Sequence, residues 1–189
     1  MFHENWYNDK QIDILIKTVK GNMGLLEGSI IEIGCWEGKS TIAIANACYP
    51  EQLEAVDTWG GNYDEDPKHP SVILAKQRDV YAEFKNNIAK YTKGNVEAIK
   101  LDCFEYLKNK SGPIKFCHID ASHDYYSVKK TIEMLLPKLV NGAILCGDDY
   151  GSGKHKRLYG GVKRAVMEMC PNHGAIRRFW IYKHIVRRK

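Results

Sequence analysis

Acidic side chains in the second half of the sequence form two short clusters with the chemistry of a metal site. HIDASHDYYSV contains Asp120 and His123, and CGDDYG contains Asp148 and Asp149. Carboxylates that crowd together repel one another unless they are protonated or bridged by a cation. Oxygen ligands of this kind suit a hard ion such as Mg2+. We therefore predict that Asp120, Asp148 and Asp149 together hold one divalent cation, with Mg2+ favoured.

The same side chains also have purely structural interpretations. Asp148 and Asp149 could cap a turn, in which case only His123 would take part in chemistry. His123 could itself cap a helix. Turnover in the presence of a chelator would separate these interpretations, because only the metal site needs a free divalent cation.

The first half of the sequence contains a glycine loop, in IIEIGCWEGKST, that ends like a phosphate-binding loop. A P-loop has four residues between its first glycine and its Gly-Lys pair, but only three separate Gly34 from Gly38. The dinucleotide fingerprint GxGxxG also fails, because Trp36 occupies its second glycine position. Asp57 ends the next apolar run, where an acid can accept hydrogen bonds from a ribose diol. This combination indicates an adenosine ligand without phosphates, although both glycines could also serve only a tight turn.

The elements that must position these residues alternate between strands and helices. Short apolar runs rich in β-branched residues are typical of buried parallel strands, and they occur at 29–34, 53–57, 95–101, 114–120 and 142–147. Helical periods occur at 12–19, 80–91, 128–139 and 162–169. This alternation predicts a Rossmann-like, doubly wound α/β sheet, mostly parallel, with ligands at the carboxyl ends of its strands.

The predicted organisation is one domain at residues 29–189, preceded by a helical segment at residues 1–28. We expect this N-terminal segment to pack over the ligand site. The irregular stretch at 58–70 follows a strand end and is a candidate lid. Trp36, Trp59 and Tyr63 could line the ligand pocket, or could simply pack in the core.

The ordered set of acid, glycine loop and second-strand acid resembles the class I S-adenosylmethionine-dependent methyltransferases. EIGCWEG matches the first motif of that family, and Asp57 matches its second-strand acid. The resemblance implies that the loop passes the methionyl part of the cofactor, that Glu32 faces its ammonium group and that Asp57 holds its ribose. The cofactor-binding residues expected on this basis are Glu32, Gly34, Trp36, Gly38, Ser40, Asp57, Thr58, Trp59, Asp102 and Cys103.

Two of these positions carry further expectations. Asp102 lies where the family places a residue near the adenine amino group, but with Glu105 it also makes a helix-capping pair. Both roles can coexist, because a cap uses one carboxylate oxygen. We also expect Gly34→Val to block the cofactor site sterically while much of the fold stays intact.

The two acidic clusters are similar to those of small O-methyltransferases that act on macrolide sugars and aminocoumarin sugars. In that branch, an Asp after strand four and an Asp-Asp-Tyr after strand five hold a divalent metal against the acceptor's hydroxyls. This sequence departs from the pattern in having Ala121 for glycine, and Ser122 where some relatives carry an acid. The resemblance implies O-methylation of a small polar, sugar-like acceptor. It implies His123 as the general base, with Asp120 as the second catalytic residue.

Two rival functions are a nucleotide-binding enzyme of the P-loop or NAD type and a non-catalytic module that binds S-adenosylmethionine. The glycine spacing argues against the first, and the Asp148-Asp149 pair argues against the second. The sequence has no Asn/Asp-Pro-Pro-aromatic motif and no Pro-Cys pair. Their absence argues against methylation of nucleic acid bases.

The composition is that of an ordinary globular domain: the 189 residues are 44% hydrophobic and 27% charged. The six cysteines show no CxxC pair or zinc-ligand spacing. No secretory signal or bilayer-spanning apolar stretch is evident, so we expect a cytoplasmic protein with no membrane partner.

The net charge of +5 is concentrated near the end, at 153–157, 177–178 and 187–188. These cations indicate either a solvated face or an anionic acceptor. A homo-oligomer is compatible with the sequence.

Overall fold

A seven-stranded sheet forms the centre of the protein in the computed structural model. The structure describes residues 2–4, 6–22, 24, 26–62, 68–151 and 156–186, and for residues 156–159 it describes the backbone alone. The strands within these residues are β1 Ser29–Ile33, β2 Leu53–Asp57, β3 Val96–Lys100, β4 Ile114–Ile119, β5 Leu139–Gly147, β6 Gly174–Ile176 and β7 Phe179–Lys183. Their order is β3-β2-β1-β4-β5-β7-β6. The first five strands pair in parallel, and β7 is antiparallel to both β5 and β6.

Helices cover both faces of the sheet. They are α1 Asp9–Lys20, α2 Lys39–Cys48, α3 Pro70–Gln77, α4 Val80–Tyr91, α5 Cys103–Asn109, α6 Tyr125–Leu135 and α7 Lys156–Met169. Helices α5, α6 and α7 share one apolar core with the sheet, and α1 and α2 share another. The doubly wound, mostly parallel sheet predicted from the sequence is therefore confirmed. No helix in the described ranges is both long and apolar enough to cross a membrane.

The chain begins α1 with strong local signals. The Asn8 side chain accepts a hydrogen bond from the Gln11 backbone, and the Gln11 side chain accepts one from the Asn8 backbone. This reciprocal capping box satisfies two amide groups that a helix start leaves unpaired. The buried residues Leu15 and Val19 then face α2 and the sheet. Residues just before α1 are thereby held against the carboxyl ends of the strands.

The strand order reverses between β1 and β4, and Gly34 lies at this point. The Gly34 amide donates to the Val56 carbonyl (2.9 Å), and the Asp120 amide donates to the Ile33 carbonyl (2.8 Å). Gly34 has φ +86°, and a Cβ added there would lie 2.2 Å from the Asp120 carbonyl oxygen. Only glycine allows this backbone approach. The expectation that Gly34→Val would leave much of the fold intact is therefore wrong, because the clash is with backbone and not with a ligand.

We predict that Gly34→Ala lowers the free energy of unfolding by about 3 kcal/mol or more, because strain at positive φ adds to a backbone clash. Gly94→Ala is the matched control. Gly94 also has positive φ (+80°), but an added Cβ there meets nothing within 4 Å. The control should lose only about 1–2 kcal/mol. Urea denaturation of both variants checks the comparison, and equal losses would contradict it.

Candidate active site

A cavity of about 590 Å³ opens at the carboxyl ends of the central strands. It is the space in which the glycine loop, the second-strand acid and the two acidic clusters meet. The predicted site residues that line it are Gly34, Trp36, Ser40, Asp57, Thr58, Asp102, Cys103, Asp120, His123, Asp148 and Asp149. Three other predicted residues, Glu32, Gly38 and Trp59, lie outside the described lining. One continuous cavity thus joins both halves of the predicted site.

Asp57 ties the glycine loop to the end of β2. Its Oδ2 accepts hydrogen bonds from the amides of Cys35 (2.7 Å) and Trp36 (2.9 Å), and its Oδ1 accepts one from Trp59 (2.6 Å). Both tryptophans have positive φ, 47° and 53°, so the carboxylate holds two strained residues in place. Burial raises the pKa of Asp57, while these amide hydrogen bonds oppose the rise. Asp57 therefore shapes the loop as well as lining the cavity.

Glu32 lies behind the cavity wall in a chain of buried polar side chains. One carboxylate oxygen accepts a hydrogen bond from the Thr41 hydroxyl, and the other lies 3.2 Å from His118 Nδ1. His118 Nε2 lies 2.9 Å from the Tyr7 hydroxyl. Burial lowers the pKa of His118, but the Glu32 carboxylate outweighs it, so the pKa is above its ordinary value. The geometry therefore gives Glu32 internal partners where the resemblance implied a cofactor ammonium.

Removal of the Tyr7 hydroxyl tests how much this hydrogen-bonded network contributes to the free energy of unfolding. Tyr7→Phe leaves His118 Nε2 without that partner in a fully buried site, and we expect a loss of about 1–3 kcal/mol in the free energy of unfolding. Tyr91→Phe removes a hydroxyl from a side chain that is 41% exposed, and its effect should stay within about 0.5 kcal/mol. Chemical denaturation measures both. A Tyr7→Phe variant as stable as the control would show that the network carries no net stability.

The N-terminal segment lies against the glycine loop. Phe2, Glu4, Trp6 and Tyr7 line the cavity. The rings of Trp6 and Trp36 are 5.2 Å apart, and Trp36 Nε1 donates to the Glu4 carboxylate (3.3 Å). Arg78 forms ion pairs with Glu4 and with the loop residue Glu37. These contacts place Phe2, Glu4, Trp6 and Tyr7 beside the cavity.

Asp120, His123 and Asp149 form the centre of the acidic crevice, which we define as these three residues and Asp148. One potential ligand atom from each of the three lies within 4.8 Å of the others. His123 Nε2 is 2.8 Å from Asp149 Oδ2. Asp148 lies beside this group. Its Oδ2 accepts a hydrogen bond from Gln11 Nε2 (2.7 Å), and its Oδ1 is buried with no hydrogen-bond partner among the described residues.

The electrostatics of the crevice favour a positive charge. Burial, with a further contribution from the charge of Asp148, raises the pKa of Asp120 to about 6. Burial also raises the pKa of Asp148. Both shifts record the cost of burying a carboxylate charge, to which the charge of Asp148 adds for Asp120, while the charge of Arg178 opposes the rise for Asp148. A cation in the crevice would remove that cost.

The comparison with known protein families agrees with this site. A family model described as a methyltransferase domain matches residues 31–150, which is more than half of the chain. The chain belongs to the methyltransferase-domain family. The matched region includes the glycine loop, Asp57 and the whole acidic crevice. Comparison with curated protein sequences finds no match.

Solved structures of other methyltransferases share the fold of this one. The O-methyltransferase NovP is 19% identical, with a TM-score of 0.67, and the match covers 94% of this chain and 80% of NovP. TomG from Streptomyces achromogenes, solved with S-adenosylmethionine, is 16% identical with a TM-score of 0.68, covering 95% and 82% of the two chains. CalS11, a TDP-rhamnose 3'-O-methyltransferase, is 17% identical with a TM-score of 0.61, covering 93% and 81%. The predicted resemblance to class I methyltransferases is confirmed.

Two capping questions left open by the sequence have answers in the methyltransferase structure. Asp124, and not His123, caps α6, because its side chain accepts from the amides of Tyr126 (2.9 Å) and Ser127 (3.0 Å). Asp102 does cap α5. It also lines the cavity, so the cap leaves it available to a ligand.

The stretch proposed as a lid is partly described. Residues 63–67, including Tyr63, lie outside the described residues, and so do residues 153–155 of the cationic run at 153–157. Within the remainder of the stretch, His69 caps α3, and its ring centroid is 6.3 Å from that of His123. The Asn62 side chain donates to the Ala121 carbonyl (2.9 Å). The described parts of this stretch therefore form one wall of the methyltransferase cavity.

Sequence analysis missed two residues that contact the acidic crevice. Gln11 reaches Asp148 from α1, and Arg178 reaches Asp148 and Asp149 from the turn before β7. The Arg-Arg pair at 177–178 is a visible signal, but the sequence pattern indicates only a solvated face or an anionic acceptor and does not identify the acid pair as its partner. Nothing in the sequence around Gln11 distinguishes it from an ordinary helix residue.

Proposed function

We propose that this methyltransferase transfers the methyl group of S-adenosylmethionine to a hydroxyl of a small polar, sugar-like acceptor. The observation that carries the proposal is the single cavity that runs from the glycine loop to the acidic crevice. A donor at the loop and an acceptor at the crevice would meet inside it, and alignment of this kind is a large part of catalysis of a displacement. The similarity in fold to CalS11, which acts on a nucleotide sugar, supports a sugar-like acceptor.

The donor half of the cavity suits an adenosyl group without phosphates. Asp57 and Asp102 place carboxylates at the ends of β2 and β3, where ribose and adenine can be hydrogen-bonded. Because Glu32 is satisfied internally, we assign the ammonium of the donor to Asp120, which lines the cavity beside Gly34. Bound there, S-adenosylmethionine supplies an electrophilic methyl group on a sulfonium.

The acceptor half supplies the base. The acceptor oxygen attacks the methyl carbon as the carbon–sulfur bond breaks, the electron pair stays on sulfur, and His123 takes the hydroxyl proton. Asp149, 2.8 Å from His123 Nε2, orients the ring and stabilises its protonated form. Deprotonation in step with attack makes a weakly acidic hydroxyl nucleophilic.

The carboxylate oxygens of the acidic crevice are ligands of the type that bind a divalent cation. Asp149 and the unpartnered Oδ1 of Asp148 would hold it, together with the oxygen of Asp120 that the donor ammonium leaves available. Bound there, Mg2+ would lower the pKa of the acceptor hydroxyl. We reserve His123 for the base role, since an imidazole that ligates a metal cannot also accept the proton. The predicted oxygen ligand set of Asp120, Asp148 and Asp149 is retained in this proposal.

Replacement of the base tests the proposed reaction. His123→Ala should lower kcat by about 10²–10⁴-fold, the usual contribution of a general base, with the affinity for S-adenosylmethionine unchanged. Release of S-adenosylhomocysteine is measured over a panel of sugars, nucleotide sugars and phenols. Ser122→Ala, the adjacent cavity residue, is the matched control and should keep most of the activity. An unchanged kcat in His123→Ala, or no release with any acceptor, would contradict the proposal.

The pH dependence of donor binding tests the role of Asp120. The raised pKa favours the protonated acid in the folded state, so Asp120 stabilises the fold at low pH and loses this contribution as pH rises through about 6. The affinity for an ammonium group has the opposite pH dependence, because ammonium binding requires the ionised carboxylate of Asp120. We expect the affinity for S-adenosylmethionine to rise about tenfold from pH 5 to 7, as the ionised fraction rises.

Calorimetric titration measures this affinity, with ATP and NAD as comparison ligands that should not bind. Asp120→Asn removes the titrating group while keeping the shape of the side chain, and its affinity should stay flat over the same interval. A rise of equal size in Asp120→Asn would assign the pH dependence to another group. Tighter binding of ATP or NAD would favour the rival nucleotide-binding function.

A further inference from the structure

The turn between β6 and β7 carries Arg178 to the acidic crevice. β7 pairs with β5 so that Trp180 lies opposite Gly147, the last residue before the acid pair Asp148 and Asp149. The Tyr150 amide donates to the Arg178 carbonyl (2.8 Å), which fixes the turn against the chain that follows β5. The position of Arg178 is therefore set by sheet register and by a backbone hydrogen bond, and not by its side chain alone.

The Arg178 guanidinium pairs with both members of the acid pair. It forms an ion pair with Asp149 Oδ1 and lies 3.4 Å from Asp148 Oδ2. The two carboxylates are only 6% and 2% exposed, whereas the arginine side chain is 40% exposed. A guanidinium stays charged throughout the pH range of stable proteins. The buried acid pair therefore has a permanent cationic partner supplied by the chain itself.

The chain occupies three of the four carboxylate oxygens of the acid pair. Asp149 pairs with Arg178 through one oxygen and with His123 through the other, and Asp148 Oδ2 accepts a hydrogen bond from Gln11. The Oδ1 atom of Asp148 is the buried carboxylate oxygen of the pair that has no described partner. A divalent cation at the crevice would lie close to the guanidinium, and like charges in a site of low dielectric repel strongly.

We propose that Arg178 is the resident counter-cation of the acid pair and that a divalent cation binds the crevice only by displacing it. The long side chain of Arg178 is 40% exposed, so it can turn its charge towards solvent while its stem stays on the surface. Arg178 thereby sets the metal affinity of the crevice. The inference concerns the same crevice as the proposed function, but its test requires neither an acceptor nor turnover.

Binding of Mn2+ to the full-length protein, followed by electron paramagnetic resonance, tests the competition. Arg178→Met keeps the length of the side chain and removes the charge, and we expect it to bind Mn2+ at least roughly tenfold more tightly than the wild type. Arg177→Met is the matched control, because it removes the same charge from an exposed residue of the same turn. Its Mn2+ affinity should stay within about twofold of the wild type.

The additional Mn2+ affinity of Arg178→Met must arise from the acid pair Asp148 and Asp149. Arg178→Met combined with Asp148→Asn should lose the additional affinity, and retention of it would overturn the inference. An Arg178→Met variant that binds Mn2+ no better than the wild type would also overturn it. S-adenosylmethionine binding is measured on the same samples. A failure to bind S-adenosylmethionine would overturn the proposed function but would not affect the comparison of Mn2+ affinities.

The wild-type protein gives an independent measurement that needs no variant to fold. The Nε–Hε resonance of Arg178 is followed by nuclear magnetic resonance during titration with Mg2+. Displacement predicts that this resonance changes in proportion to occupancy of the crevice, reported by the backbone amides of Asp148 and Asp149. Saturation of those amides with an unchanged Arg178 resonance would overturn the inference. If the amides report no binding up to millimolar Mg2+, Arg178→Met must bind Mg2+ under the same conditions, and its failure to bind would overturn the inference.

Discussion

The close approach of Gly34 to the Asp120 backbone is the constraint on which the rest of the site depends. It brings the ends of β1 and β4 together at the point where the strand order reverses, so that the loop after one strand and the acid after the other face a single cavity. A side chain at position 34 would separate them. The glycine of the first motif is therefore explained by backbone packing, before any ligand is considered.

Charge compensation is the second theme, because several carboxylates are buried near the cavity. Asp57 accepts hydrogen bonds from three backbone amides, Glu32 pairs with His118, and the acid pair pairs with Arg178. Burial, with a contribution from the charge of Asp148, raises the pKa of Asp120 to about 6. A buried carboxylate without a compensating partner is costly and is a frequent feature of functional sites. Asp120 is thus the acid of this cavity with most to gain from a bound cation.

The sequence predicted the sheet well and the partners of the site less well. Apolar runs located the five parallel strands because β1, β2 and β4 are largely buried, and the edge strand β3 was found although its residues are half-buried or exposed. The antiparallel pair β6 and β7 was missed, since short strands beside an Arg-Arg pair resemble a solvated basic region. Arg178 was missed with them. Its contact with the acid pair depends on the register of β7 against β5, which a local pattern cannot supply.

Glu32 shows why a sequence motif can locate a residue without identifying the side chains that it contacts. The strand pattern places it at the carboxyl end of β1, but alternation along a strand does not say which neighbour a side chain meets. His118 on β4 lies directly beside it in the sheet register, and Tyr7 approaches His118 from the N-terminal segment. The acid that precedes the glycine loop thus connects the strand core to the segment that lines the cavity. Its contribution to cofactor binding would then act through the position of that segment, because the carboxylate itself already has two partners.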